Sequence, residues 1–412
     1  MNPFLAPSPL SVGVNGATGR RRFRLLLGIL LSIAGPALAA PFLPIDPNQV
    51  LERLPLAAID PGVRELQGLR RRLAAQPDNL KLALQVAHRN IEIGRSEADP
   101  RYYGYAQAVL APWWEQTAPP SEVLLLRAVL RQNRHDFVGA LTDLQQVLAV
   151  RPRHAQAWLT QAVIQQVQGE PAAALRSCLT LQRLARSLLS SACLSGALGR
   201  GGQAGFAYAS LQRALETPTD ANIEARLYAL TVLAELAEQR GDAPAAEQHF
   251  RAALNLGRRS VYLLGAYANF LLDQNRPVEA RELLQAEQRA DNLLLRLALA
   301  ERRLDDPAWQ RHAEVLEARF AAARQRGDGI HIASEARLRL DLRQQPQEAL
   351  ALAQRNWAQQ QREPQDARLL LEAALAAGQP EAAREVLDWL NRVKLEDERL
   401  ADLSRRLREP KS

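Results

Sequence analysis

Residues 121–154 read SEVLLLRAVLRQNRHDFVGALTDLQQVLAVRPRH. Ala128 and Ala140 stand twelve apart, Leu144 and Val147 follow Ala140 at offsets of four and seven, and Pro152 closes the stretch. Offsets of four and seven mark one face of a helix. The same arrangement returns along the chain. Aligning Ala106, Ala140, Ala174, Ala207, Ala246, Ala280, Ala313, Ala349 and Ala383 gives steps of 34, 34, 33, 39, 34, 33, 36 and 34 residues. Four residues after most of these alanines lies another apolar residue: Leu110, Leu144, Cys178, Leu211, Phe250, Leu284 or Leu387. A second set of small residues (Ala128, Ala162, Ser195, Ala234, Ala268) lies twelve positions upstream. Each period therefore predicts two helices. Gly169-Glu170-Pro171, Gly201-Gly202, Gly241-Asp242 and Gly378-Gln379-Pro380 mark turns between them, since Gly supplies the positive φ of a helix C-cap and Pro suits the first turn of the next helix.

Paired helices in a 34-residue unit, with small residues at positions 8 and 20, a turn near 15 and Pro near 32, resemble the tetratricopeptide repeat. The resemblance covers about residues 80–393 and is strongest in the units 121–154, 155–188 and 227–260; as a whole the chain is similar to exported bacterial proteins of this type. It weakens around Ala313 and Ala349, where Glu317, Asn356 and Arg337 stand at positions that usually pack. The fold it implies is all-α: a right-handed α-solenoid of about nine hairpins. Ala, Leu, Arg, Gln and Glu are strong helix formers and dominate the chain, in keeping with that class. One hairpin cannot bury its own apolar face, so stability comes from stacking neighbours. The expected organisation is an N-terminal segment 40–79 on the solenoid, repeats 80–221, partly degenerate repeats 222–393 after an insertion at 217–225, and a C-terminal capping helix and tail, 394–412.

Residues 1–39 read as an export signal. Arg20, Arg21, Arg22 and Arg24 form a basic region, Leu25–Ala34 is apolar but short for a membrane span, and Ala37-Leu38-Ala39 has the small-x-small pattern of a cleavage site. A Sec-type signal peptide cleaved after Ala39 predicts a periplasmic or secreted protein. No later apolar run is long enough to span a bilayer, so no stable membrane insertion is expected after cleavage. The full chain carries 52 Lys and Arg against 45 Asp and Glu. Removing the signal leaves 48 against 45 and no basic run, so nucleic acid is not an expected partner.

The stretch RYYGYAQAVLAPWW, 101–114, concentrates aromatic residues. The repeat register places Tyr103, Leu110 and Trp113 in the core and leaves Tyr102, Tyr105 and Trp114 undemanded. The plain reading is that these hold the N-terminal segment, where Val50, Leu51, Leu54 and Leu56 need cover; the alternative is a docking patch. The register also puts Gly94 in the first turn, with Arg95–Arg101 as an inserted loop.

Chemistry is sparse. The six His are scattered without i,i+4 pairing, and no HExxH, phosphate loop, GxSxG or CxxC occurs. The expectation is no enzyme, no cofactor and no metal. Cys178 and Cys193 flank the turn near residue 186 at similar heights on facing helices, which in an oxidising compartment favours a disulfide over two buried thiols. The resemblance implies that first helices line a concave groove through positions 12 and 13, here Gln132, Asn133, Gln166, Arg200, Glu238, Gln239, Leu272 and Asp273. Such a mixed polar strip suits a partner protein or extended peptide. The alternative is a carbohydrate-handling component of envelope polysaccharide export, with the surplus Tyr and Trp against sugar rings.

Overall fold

The computed structural model describes residues 61–217, 221–327, 329, 331–359 and 361–408. The export signal and Val50, Leu51, Leu54 and Leu56 lie outside them. The chain divides into two units, Met1–Pro55 and Leu56–Ser412, and every described residue belongs to the second. Nine helical hairpins succeed one another among the described residues: α2 (Leu80–Glu97) with α3 (Arg101–Trp114), α4 (Ser121–Asn133) with α5 (Phe137–Val150), α6 (Ala155–Val167) with α7 (Pro171–Leu184), and α8 (Leu188–Arg200) with α9 (Ala204–Glu216). Then come α10 (Ile223–Gln239) with α11 (Ala243–Leu254), α12 (Val261–Asp273) with α13 (Pro277–Leu284), and α14 (Asp291–Arg303) with α15 (Ala308–Gln325). In the eighth, α16 (Ile332–Arg337) continues through a π-helical turn, Leu338–Leu342, and pairs with α17 (Pro346–Ala358); in the ninth, α18 (Pro364–Ala376) pairs with a short 3-10 turn running into α19 (Arg384–Val393). The helix α1 (Pro61–Ala75) precedes the stack and α20 (Glu398–Arg408) comes after it. No strand occurs among the described residues, and no helix there is long and apolar enough to cross a membrane.

All nine aligned alanines, from Ala106 to Ala383, are fully buried, as are Ala128, Ala162, Ala234 and Ala268 upstream of them. Helix starts are fixed locally: the side chains of Asn79, Asp136, Ser187, Asn222, Asp242 and Ser260 each accept a backbone N–H of the first turn. Helix ends obey one rule. Each hairpin turn contains a single residue with positive φ, in order Ala98, His135, Gly169, Gly202, Gly241, Asn275, Asp305, Gln344 and Gly378. That left-handed residue ends the first helix by turning its last carbonyls back on the chain.

Two expectations change. Gly94 is not in a turn but buried inside α2, where an added Cβ would stand 3.1 Å from the Tyr103 ring; the inserted residues lengthen α2 to Glu97 and move the turn to Ala98. In α3 the buried tryptophan is Trp114, and Trp113 is only partly covered. Pro112 intervenes, removing a backbone donor within the helix and so loosening the repeat register past Leu110. Around Ala313 and Ala349 the chain keeps the hairpin, and the polar residues find partners: Glu317 accepts from Arg339 and Arg343, Arg337 pairs with Asp341 and Glu372, and buried Asn356 donates to Asp366 at 2.9 Å. Across the insertion at 217–225 the core is continuous, with Leu233 and Leu236 of α10 packed on Ala207 and Leu211 of α9.

The other aromatics of 101–114 are structural. Tyr102 packs with Leu66 of α1 and Val86 and Ile93 of α2; Tyr105 meets the Tyr102 ring edge-on at 5.8 Å and lies under the Arg70 guanidinium. The Arg127 guanidinium sits 5.7 Å from the Trp114 ring and bonds the buried Asp143 carboxylate at 2.7 Å. Cys178 of α7 and Cys193 of α8 form a disulfide with Cα atoms 5.6 Å apart, inside a core shared with Ala162, Ala174 and Ala197.

The C-terminal part of the solenoid docks on the turns of earlier hairpins. Gln361 meets His135 at 2.8 Å. The Arg362 amide donates to Val167 O at 2.8 Å, and the Trp389 indole donates to Gly169 O at 3.0 Å. Glu396 accepts from the Ala204 amide at 3.2 Å. At Gly202 the Lys394 carbonyl, and at Gly241 the Glu398 carboxylate, occupy the place where a Cβ would stand. The glycines therefore serve twice, giving positive φ and making room for a second layer of chain.

Three outcomes are expected. Trp114→Ala costs about 3–5 kcal/mol as a buried tryptophan truncation, whereas Trp113→Ala costs about 1 kcal/mol or less, read as denaturant midpoints at equal slope. Gly257→Ala, where a Cβ meets nothing within 4 Å at φ 69, costs about 1–2 kcal/mol for the left-handed backbone. Gly202→Ala carries that cost and also displaces Lys394, so only this variant exposes residues 394–408 to limited proteolysis. Reduction of Cys178–Cys193, which closes a loop of 15 residues, lowers stability by about 3 kcal/mol in the chain-entropy model. Uptake of two alkyl groups by the unreduced protein in an intact-mass measurement would show free thiols instead.

Candidate functional site: the lumen of the solenoid

Docking of the last hairpins turns part of the expected groove into a chamber. Arg200 donates to Gln166 Oε1 at 2.8 Å and to Glu363 Oε1 at 3.1 Å. Arg399 bonds Glu238 at 3.0 Å, and Arg368 grips Asp273 through both carboxylate oxygens at 2.6 and 2.9 Å. Three positions of the polar strip, Arg200, Glu238 and Asp273, are thus bound from across the lumen by the chain itself. Gln166 and Gln239 are buried, and the Gln239 side-chain oxygen has no partner among the described residues. Gln132 and Asn133 are half-buried away from this chamber, Asn133 bonding Val129 O of its own helix at 2.8 Å. The structure therefore brings Arg200, Gln239 and Asp273 together, reaches Gln166 through Arg200, and leaves Gln132 and Asn133 apart.

The chamber has a volume of ≈ 170 Å³ and includes residues outside the position 12 and 13 strip, chiefly Glu235, Tyr262, Asn269, Asn292 and Arg296. Tyr262, Gly265, Asn269 and Asp273 recur at helical spacing, so they share one face of α12. That polar face in an otherwise apolar helix is the signal the sequence holds for them. Gly265 leaves space between α12 and α14: a Cβ there would stand 3.6 Å from Arg296 Nε. The Tyr262 hydroxyl donates to Glu235. Burial raises the pKa of Glu235, and raises that of Glu238 to about 8 against the opposing pull of Arg399.

Tyr262 and Asn292 also line a wider space of ≈ 1300 Å³, bounded by the end of α2, the start of α12 and the α15–α16 connection, which forms the mouth of the chamber. Seven arginines and four carboxylates line this mouth. Among the described residues no group of His, Cys, Asp and Glu is placed to hold a metal ion.

No family model matches the chain, and no curated protein matches it. Solved structures similar to it are of low identity. The human IFIT1 dimer with PPP-AAAA is 13% identical, covering 82% of this chain and 92% of that one with a TM-score of 0.46. Pseudomonas aeruginosa pilF is 18% identical, covering 49% and 92%, with a TM-score of 0.37. A tetratricopeptide repeat protein from Parabacteroides merdae ATCC 43184 is 16% identical, covering 70% and 99%, with a TM-score of 0.33. Stacked hairpins, buried small residues twelve apart and one left-handed residue in each turn make this an all-α solenoid whose repeat resembles the tetratricopeptide repeat.

Proposed function

We propose that the protein is an exported interaction scaffold: freed of residues 1–39, it acts in the periplasm or outside the cell and captures an extended segment of a partner protein in its lumen. The observation that carries this reading is that the chamber and the wider space beside it share Tyr262 and Asn292 as lining. A narrow, polar passage matches an extended backbone, which must satisfy its own N–H and C=O groups along its length. The entrance favours a ligand segment that carries negative charge. This is the reading of a binder, with no catalytic step. The glycan alternative has less support, because Tyr102 and Trp114 are engaged in packing on α1 and α4, while Tyr105, half exposed, lies against the Arg70 guanidinium.

Expressed with its own N-terminus, the protein is expected in the periplasmic fraction with Ala40 as first residue. A photoreactive benzophenone side chain placed at Tyr262 is expected to crosslink a partner protein that the same group at Phe206, an exposed position on α9, does not. Equal labelling at both positions, or an intact Met1 on membrane-bound material, would falsify the corresponding half of the reading.

A further inference from the structure

The chamber's arginines are ion-paired with one exception. Arg200 has Glu363, Arg368 has Asp273 and Glu372, Arg399 has Glu238 and Asp397, and Glu235 accepts from Tyr262. Arg296 has no ion pair among the described residues. Its Nε donates to Asn269 Oδ1 at 2.8 Å and its Nη1 to Asn292 O at 2.6 Å. Two neutral acceptors thus hold the guanidinium plane while the Nη2 group and one Nη1 proton stay unused. These form an end-on fork at the wall of the chamber. An enclosed cation without a counter-ion is costly, and a carboxylate meeting such a fork gains paired, charge-assisted hydrogen bonds.

We infer that Arg296 is an oxyanion-binding site at the inner end of the lumen, and that its ligand is a carboxylate. The charge count selects the class. Four arginines and five carboxylates line the chamber, so a monoanion at Arg296 meets less repulsion from Glu235 and Glu363 than a phosphate dianion would. The supporting electrostatics agree: burial and the like charge of Arg337 pull the Arg296 pKa down to about 10, so it stays charged at neutral pH but is short of negative neighbours. The approach is favourable as well, since Arg95, Arg289 and Arg326 at the mouth have no ion pairs among the described residues. The carboxylate is either an acidic side chain of the captured segment, which rests on the function proposed above, or a free small acid.

Asn269→Asp tests the site by supplying the missing counter-ion in place, because the new carboxylate oxygen would stand where Asn269 Oδ1 already accepts from Arg296. In the wild type, sodium acetate is expected to raise the melting temperature above a sodium chloride control of equal ionic strength. Asn269→Asp is expected to melt higher without ligand and to lose the acetate increment; Arg296→Gln must lose the increment too. An absent increment in the wild type, or a full one in either variant, overturns the site. A fluorescent, end-capped oligo-glutamate peptide separates the two sources. Wild-type binding weakened at least tenfold by Asn269→Asp identifies an acidic side chain as the ligand. Acetate binding without peptide binding supports the site with a free acid as ligand and removes the peptide reading of the lumen. Peptide binding indifferent to Asn269→Asp overturns the site and leaves the lumen reading standing.

Discussion

The close approach of helices through residues no larger than alanine is the constraint on which the rest of the molecule depends. Nine alanines on second helices, and Ala128, Ala162, Ala234 and Ala268 twelve residues upstream of four of them, have no exposed surface, because nothing beyond Cβ holds the backbones apart. A helix pair at that separation presents a flat apolar face that it cannot cover itself, and the next pair covers it. The larger residues then fall between the close contacts: Leu144 and Val147 in one unit, Phe250 in another. Enlarging any of the alanines would separate helices along a whole hairpin, which is why the period survives where the polar residues around it vary.

Arginine is the second organising element. The chain has 49 Arg and three Lys, and the arginines do what a lysine would do poorly. Arg368 holds Asp273 with two parallel bonds, and Arg276 engages Glu247 and Glu279 at once. A planar fork satisfies two oxygens in one geometry and can lie on an aromatic ring, as Arg127 does over Trp114. The cost of enclosing such charges is met only where each has its partner, which is what makes the unmatched Arg296 informative.

What can be read from the sequence is what is local. The 34-residue period, the buried small residues and the height match of Cys178 with Cys193 all concern residues within one or two helices of each other. The period exchanges the places of Trp113 and Trp114 because Pro112 alters a register that is otherwise regular. Gly94 looks like the turn glycine of its neighbours, and only the longer α2 shows it to be a helix-interior residue. The chamber is legible only in fragments: Arg200 and Asp273 are on the strip, but their partners Glu363 and Arg368 lie 163 and 95 residues further along. No spacing rule reaches that far. Turn glycines 169, 202 and 241 carry the hint, although a C-cap explains them equally well from sequence.

The docking of 361–399 onto the turns of the second to fifth hairpins changes the kind of polymer this chain is. An open solenoid is a one-dimensional array that can fray from either end and grow by addition of units. Here the Gln361–His135 contact spans 226 residues, so the last hairpins complete a loop in the contact graph. Non-local closure of this sort comes late in folding and raises its entropic barrier. The receiving turns must exist before the closing segment has anything to bind. A chain synthesised from its N-terminus makes them in that order.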